Sequence, residues 1–186
     1  PGREAQILRR VLARHQGPFS KPILVRLWRE LLAGSLAIQA DLYIAVYAPE
    51  KAGLAGLWDL ARDHYGSQTA MSGFRSTGEV LRALADGRAT LGVLPVPGQS
   101  DVEPWWRFLA AGEAQLRIIA RLPFGAPGNA RSDNSDAFVI GAIEPEESGA
   151  DRSLYVIEVG EGVSRARLLS ALGGSGVPAT VLAATE

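Results

Sequence analysis

A carboxylate, a hydroxyl and a carboxamide stand where two successive amphipathic stretches call for apolar side chains. On a helical wheel of about 100° per residue, Leu24, Leu27, Trp28, Leu31 and Ile38 of ILVRLWRELLAGSLAIQ share one face, with Ser35 and Gln39 in its middle. Arg26, Arg29 and Glu30 take the opposite face. In the preceding stretch, REAQILRRVLARHQGP, Ile7, Leu8, Val11 and Leu12 form the stripe; Glu4 sits near its centre and Gln6, Arg9 and Arg10 lie outside it. Burying an amide or a hydroxyl without a partner costs about 1–3 kcal/mol, so such placements need a reason. Either the groups satisfy one another inside the fold, or a ligand lies against them. Polar pockets between helices are a recurrent place for small-molecule sites.

The elements that position these groups are legible on either side of residue 40. Gly17-Pro18 ends the first helix, Ser20 is placed as the N-cap of the second, and Pro22 is tolerated in its first turn. After Gln39 the spacing switches to the buried-strand run DLYIAVYAP, which marks a domain boundary at about residue 40. A helix over about 53–65 and a short strand over 68–72 follow, and then Ser76 and Glu79 have the spacing of a capping box opening a helix that runs to Gly87. ATLGVLPV, apolar on both faces, suits a central strand of a mostly parallel sheet. Ser100 or Asp101 caps a helix around Trp105, Trp106 and Phe108, and the tryptophan pair is expected to pack that helix onto the sheet. QLRIIARL, with Arg117 and Arg121 reaching a solvent edge, a Pro/Gly/Asn-rich loop over 123–135 and DAFVIGAI come next. EPEESGAD reads as a linker of solvated charge. RSLYVIEV, a helix over about 165–172 and PATVLAAT close the chain as a βαβ unit, and the alternation as a whole argues for an α/β layer fold.

Composition excludes several function classes. Apolar residues make up 47% of the 186 and charged residues 21%, with a formal net charge of -1, which lacks the basic excess of a nucleic-acid surface. No apolar run is long enough to span a membrane, and no signal-peptide pattern opens the sequence. With no cysteine there are no disulfides or thiolate metal sites, and the isolated His15 and His64 lack partner spacing for a metal and read as structural. No dinucleotide, P-loop or nucleophile-elbow motif occurs.

Arg3-Glu4 opening one helix, a Gly-Pro turn, and a second helix with Ser35 and Gln39 four apart resemble the all-helical class of chorismate mutases over residues 1 to about 40. The resemblance implies an isomerase that rearranges chorismate to prephenate with no metal or cofactor. It also implies that Gln39 donates to the breaking ether oxygen, Glu4 accepts from the ring hydroxyl, Ser35 binds a substrate carboxylate, and Arg3 contacts the ligand or fixes the helix start. A cytoplasmic homodimer is implied too. In that family a long first helix supplies two arginines and, with the loop after it, a lysine. Pro1 falls at the start of the family's second helix, so the sequence is expected to be a piece of a longer polypeptide, inactive alone but active when intact.

The remainder resembles prephenate dehydratase, a periplasmic-binding-like α/β fold, with departures where chemistry would sit. In VYAPEKAG, Lys51, Ala52 and Gly53 do not reproduce the family's glycine-threonine turn; in LGVLPVPGQS, Pro95 is kept but Pro97, Gly98 and Gln99 replace Glu, Asn and Ser. In NSDAFVIG, Phe138 is kept while Asp136 and Ala137 replace a threonine and an arginine. The resemblance thus implies three segments: mutase helices two and three over 1–40, a non-catalytic dehydratase-like domain over 41–145, and a partial ACT-like βαβ unit over 151–186. The rival expectation is a module that senses an aromatic amino acid or prephenate without turnover.

Overall fold

A computed structural model describes residues 2–49, 55–98, 103–112, 115–123 and 136–184. Lys51, Ala52, Gly53, Gln99, the cap candidates Ser100 and Asp101, and loop residues 124–135 lie outside it.

Two helices, α1 (Gly2–Arg14) and α2 (Lys21–Gln39), form the expected hairpin. Ser20 is its N-cap by backbone conformation, without a side-chain cap bond, and Pro22 stands in the first turn. Within the connection His15 Nε2 donates to the Phe19 carbonyl at 2.6 Å, a structural role as expected.

Strand β1 (Tyr43–Tyr47) starts the α/β part, followed by α3 (Ala55–Tyr65), β2 (Ala70–Phe74), α4 (Thr77–Ala85) and β3 (Leu91–Pro95). The capping box is present: Ser76 Oγ accepts from Glu79 N at 3.2 Å while the Glu79 carboxylate accepts from Ser76 N at 3.2 Å. Then come α5 (Trp106–Ala111), β4 (Arg117–Leu122) and β5 (Ala137–Gly141). The second strand begins two residues later than the spacing predicts.

The sheet order is β2-β1-β3-β5-β4, with β2, β1 and β3 parallel and β5 antiparallel to both neighbours. Four strands therefore run one way, and the inserted β5 is buried along its whole length. The core lies on both faces. Val80, Leu81 and Leu84 of α4 pack with Leu94, Phe138 and Ile140 on one side; Leu57 and Leu60 of α3 pack with Ile44, Val46, Val93 and Val139 on the other. Trp105 fastens the start of α5 to the sheet, as its pairing with Trp106 suggested, by donating Nε1–H to the Pro95 carbonyl at 3.2 Å and meeting Phe138 edge-on.

One expectation needs correction. The closing unit contains its helix, α6 (Arg165–Gly174), capped by Ser164 Oγ on Arg167 N, but 151–158 and 177–184 form no strand. A strand requires a hydrogen-bonded neighbour, and neither segment is in a ladder here, so the βαβ pattern is met only in its helix. The acidic segment over 144–151 is exposed apart from the half-buried Ser148, as expected of solvated charge, and is also ordered by its own hydrogen bonds. Asp151 gathers Ser148 N, Ser148 Oγ and Gly149 N into a tight turn, hydrogen bonds that hold its carboxyl below the usual carboxylate range. That turn presents the Ser148 carbonyl and hydroxyl to the Arg9 guanidinium of α1, with Gln6 Nε2 on the Glu147 carbonyl at 3.4 Å and Arg3 N on the Glu146 carboxylate at 3.4 Å.

Candidate functional site

The hairpin meets the α/β part along α2 and the C-terminal end of α3, and the contact is polar. Arg26 Nη2 lies 3.2 Å from Asp63 Oδ1, and Ser67 N donates to the Glu30 carboxylate at 3.1 Å. Between them Arg29, only 3% exposed, reaches α1 and donates Nη1–H to Glu4 Oε2 at 3.0 Å. Arg26, Arg29 and Glu30 are thus the edge of α2 that docks, whereas helical spacing placed them toward solvent. Of the residues expected to be inside, Leu27, Leu31 and Ile38 are 50%, 65% and 88% exposed, while Leu24 and Trp28 are half-buried.

This inversion has a physical reason. Val25, Leu32 and Leu36 lie on the same side as Arg29, giving α2 a second, narrower apolar face that meets α3. Close approach is possible because α3 ends in Gly66 at φ +84°, where a Cβ would collide with the Ala33 Cβ and press on the Glu30 carboxylate. Arg62 then straps the turn, donating to the carbonyls of Gly66, Ser67 and Thr69 with its guanidinium over Trp58.

Glu4, Arg29, Leu32, Ala33, Leu36, Leu42, His64 and Tyr65 surround a cavity of about 20 Å³, room for one water and not for a ring-sized substrate. Burial and the Arg29 cation hold His64 well below its ordinary range, keeping it neutral. Burial, with Glu4 adding to it and Arg29 opposing, raises the Tyr65 phenol. Burial also lowers Arg29, against the attraction of Glu4.

Ser35 and Gln39 lie elsewhere on α2. Both are exposed, and Gln39 Nε2 donates to the Ser35 carbonyl at 3.1 Å and to Ser35 Oγ at 3.2 Å. Leu36, which with Glu4 lines the cavity, is about 100° round the helix from Ser35, so the cavity opens on a different side of α2 from Ser35. The structure thus brings Ser35 to Gln39 and Glu4 to Arg29, but does not bring the two pairs into one pocket. Arg3, at the exposed start of α1, is engaged among the described residues through its backbone N–H, which donates to Glu146. Sequence reasoning missed Arg29, His64 and Tyr65; the signal was the spacing of Val25, Arg29, Leu32 and Leu36.

In the α/β part the C-terminal ends of β1 and β3 form the switch point where open sheets bind ligands. There Gly98, at φ +85°, has the Leu182 carbonyl where a Cβ would stand. Asp136 pairs with Arg121, and Ala137 is completely buried between β3 and β4, so neither offers a hydroxyl or a guanidinium. Among the described residues no three His, Asp or Glu side chains gather as a metal site, and no helix is long and apolar enough to cross a membrane.

No family model matches the chain. It is 29% identical over 133 residues to the bifunctional chorismate mutase/prephenate dehydratase of Pseudomonas aeruginosa, and 28% identical over 135 residues to the enzyme of that description from Stutzerimonas stutzeri. Each match covers 67% of this chain and 36% of the relative, so the likeness spans about a third of the length of these curated proteins. Among solved structures, the prephenate dehydratase of Streptococcus mutans is similar at 18% identity and a TM-score of 0.40, over 57% of this chain and 52% of that one. GqqA, described as a novel type of quorum quenching acylase, is similar at 19% identity and a TM-score of 0.44, over 72% of this chain and 65% of its own. By sequence, then, the chain is homologous to part of the bifunctional chorismate mutase/prephenate dehydratases.

Proposed function

We propose that this chain is part of a chorismate mutase, rearranging chorismate to prephenate in aromatic amino acid biosynthesis, with the α/β part as a non-catalytic dehydratase-like module. What carries the reading is one helical hairpin, in a chain homologous to bifunctional mutase/dehydratases, that sets Glu4 at the start of α1 and the linked pair Ser35 and Gln39 at the end of α2. On this reading the segments are mutase helices over 1–40 and a dehydratase-like domain over 41–145, followed over 151–186 by a unit that keeps only the helix α6 of the expected ACT-like βαβ pattern.

An intramolecular rearrangement asks for a held conformer and for stabilisation of charge on the breaking bond, which hydrogen bonds supply. Gln39 donates to the ether oxygen once its amide turns from Ser35 to the substrate. Glu4 accepts from the ring hydroxyl, Ser35 binds a carboxylate, and Arg3 contacts the ligand or fixes the helix start. The open stripe of Leu27, Leu31 and Ile38 is the kind of surface a second protomer covers, in keeping with a cytoplasmic homodimer. The test is chorismate consumption and prephenate formation by the longest natural polypeptide containing this chain. Gln39→Glu should move its activity to acidic pH, where a protonated carboxyl can still donate; an unaltered pH profile counts against the role of Gln39.

The second reading, a sensor of an aromatic amino acid or prephenate without turnover, draws on the ion pair at Asp136 and the buried methyl of Ala137. Calorimetric titration with phenylalanine, tyrosine and prephenate separates it from the first. Binding with no chorismate consumption would favour it.

A further inference from the structure

Arg29 belongs to α2, bonds to α1, and sits on α3. Its guanidinium is enclosed on one side by Glu4 with Leu32 and Leu36, and on the other by Val25, Leu60, Asp63 and His64. The hydrogen bond at 3.0 Å takes one oxygen of Glu4; among the described residues Oε1 has no partner, and the carboxylate side chain remains 31% exposed. A carboxylate on the first turn of a helix would otherwise sample several rotamers, and it is restrained here by a cation that is itself immobilised by burial.

We propose that Arg29 is the positioning residue for Glu4, and that the end of α3, by seating Arg29, makes the α/β module a structural part of the mutase site. The proposal rests on the mutase reading and gives the module a role that requires no chemistry of its own. Arg29 touches no substrate. Its guanidinium holds Oε2 so that Oε1 is presented to the ring hydroxyl. The flanking contacts, Arg26 with Asp63, Glu30 with Ser67 and Ala33 against Gly66, fix the height at which α2 holds it.

The experiment compares wild type, Arg29→Lys, Arg29→Gln and Gln39→Ala in the longest natural polypeptide containing this chain, with kcat and KM for chorismate measured separately and thermal melting recorded for each. A misplaced catalytic group costs on the order of 10- to 100-fold in rate. Arg29→Gln should lower kcat by about that much with little change in KM, and Arg29→Lys, which keeps the cation without the fork, should recover part of it. If Arg29→Gln does not fold, Arg29→Lys decides alone, with a kcat below wild type expected and an unchanged kcat overturning the proposal. Wild-type activity abolished by Gln39→Ala but untouched in a folded Arg29→Gln variant would overturn the positioning role and leave the mutase reading standing. Wild type that consumes no chorismate would remove the reading itself, and the proposal with it.

Discussion

The Arg29 and Glu4 pair is asymmetric, because one partner is enclosed and the other is partly served by water. Glu4→Gln withdraws the carboxylate from a buried guanidinium and should cost about 3 kcal/mol of stability. Arg29→Met leaves a carboxylate that water reaches and replaces a desolvated cation with an apolar chain of similar length, so its cost should be smaller or of opposite sign. Denaturant titrations of the two variants at neutral pH give the order. His64 sets a second expectation. Its folded pKa lies well below the unfolded value of about 6.5, so on acidification the unfolded chain takes up the proton first, and stability falls as pH drops below about 6.5 toward the folded value. The slope is at most about 1.4 kcal/mol per pH unit. Urea midpoints at pH 7.5 and 5.5 should differ in wild type and differ less in His64→Gln.

At the scale of elements, local signals were readable and choices between faces were not. Ser76 with Glu79, the Gly17-Pro18 break and the buried run Leu91–Pro95 each declare themselves within a few residues, and each is found where its spacing put it. The orientation of α2 was not available from its own pattern, because the helix has two usable faces and the wheel ranks the wider one, Leu27, Leu31 and Ile38, above the narrower one of Val25, Leu32 and Leu36. What selects the narrow face is the end of α3, with Asp63, Gly66 and Ser67 matched to Arg26, Ala33 and Glu30, and such long-range matching has no periodic signature. The reversed direction of β5 was hidden for a similar reason, since a strand buried on both faces looks the same read parallel or antiparallel. Glu4, Ser35 and Gln39 were legible as polar groups on apolar stripes, and Ser35 with Gln39 as a pair four apart, but the partner of Glu4, Arg29, was not. The inversion is testable: Leu31→Lys should shift the stability of this chain by no more than about 0.5 kcal/mol, whereas Val25→Ala should cost about 1 kcal/mol or more. Equal sensitivity of the two sites would mean that α2 sits the other way round.

At the scale of the molecule, the charges that hold the assembly together join segments distant in sequence. The edge strand β4 shows them locally, with Arg117 on Glu144 at 2.8 Å and Arg121 on Asp136, a pattern that also discourages a neighbouring molecule from extending the sheet. The longest reach belongs to α1, whose Arg3, Gln6 and Arg9 bond to Glu146, Glu147 and Ser148 at sequence separations of 143, 141 and 139 residues. Arg9→Ala should therefore speed amide exchange in 146–151 and in the first turns of α1 together, leaving β1 and β3 protected, and exchange confined to one of the two segments would show that they are not coupled.

The turn that grips α1 also imposes an order of events at the ribosome. Residues 146–148 follow β5, so the bonds they make to α1 can form only after every described strand has been synthesised. A stalled or clipped product ending after Gly141 but before Glu146 would keep the described strands and leave α1 without these three bonds, a looser segment for proteases to meet.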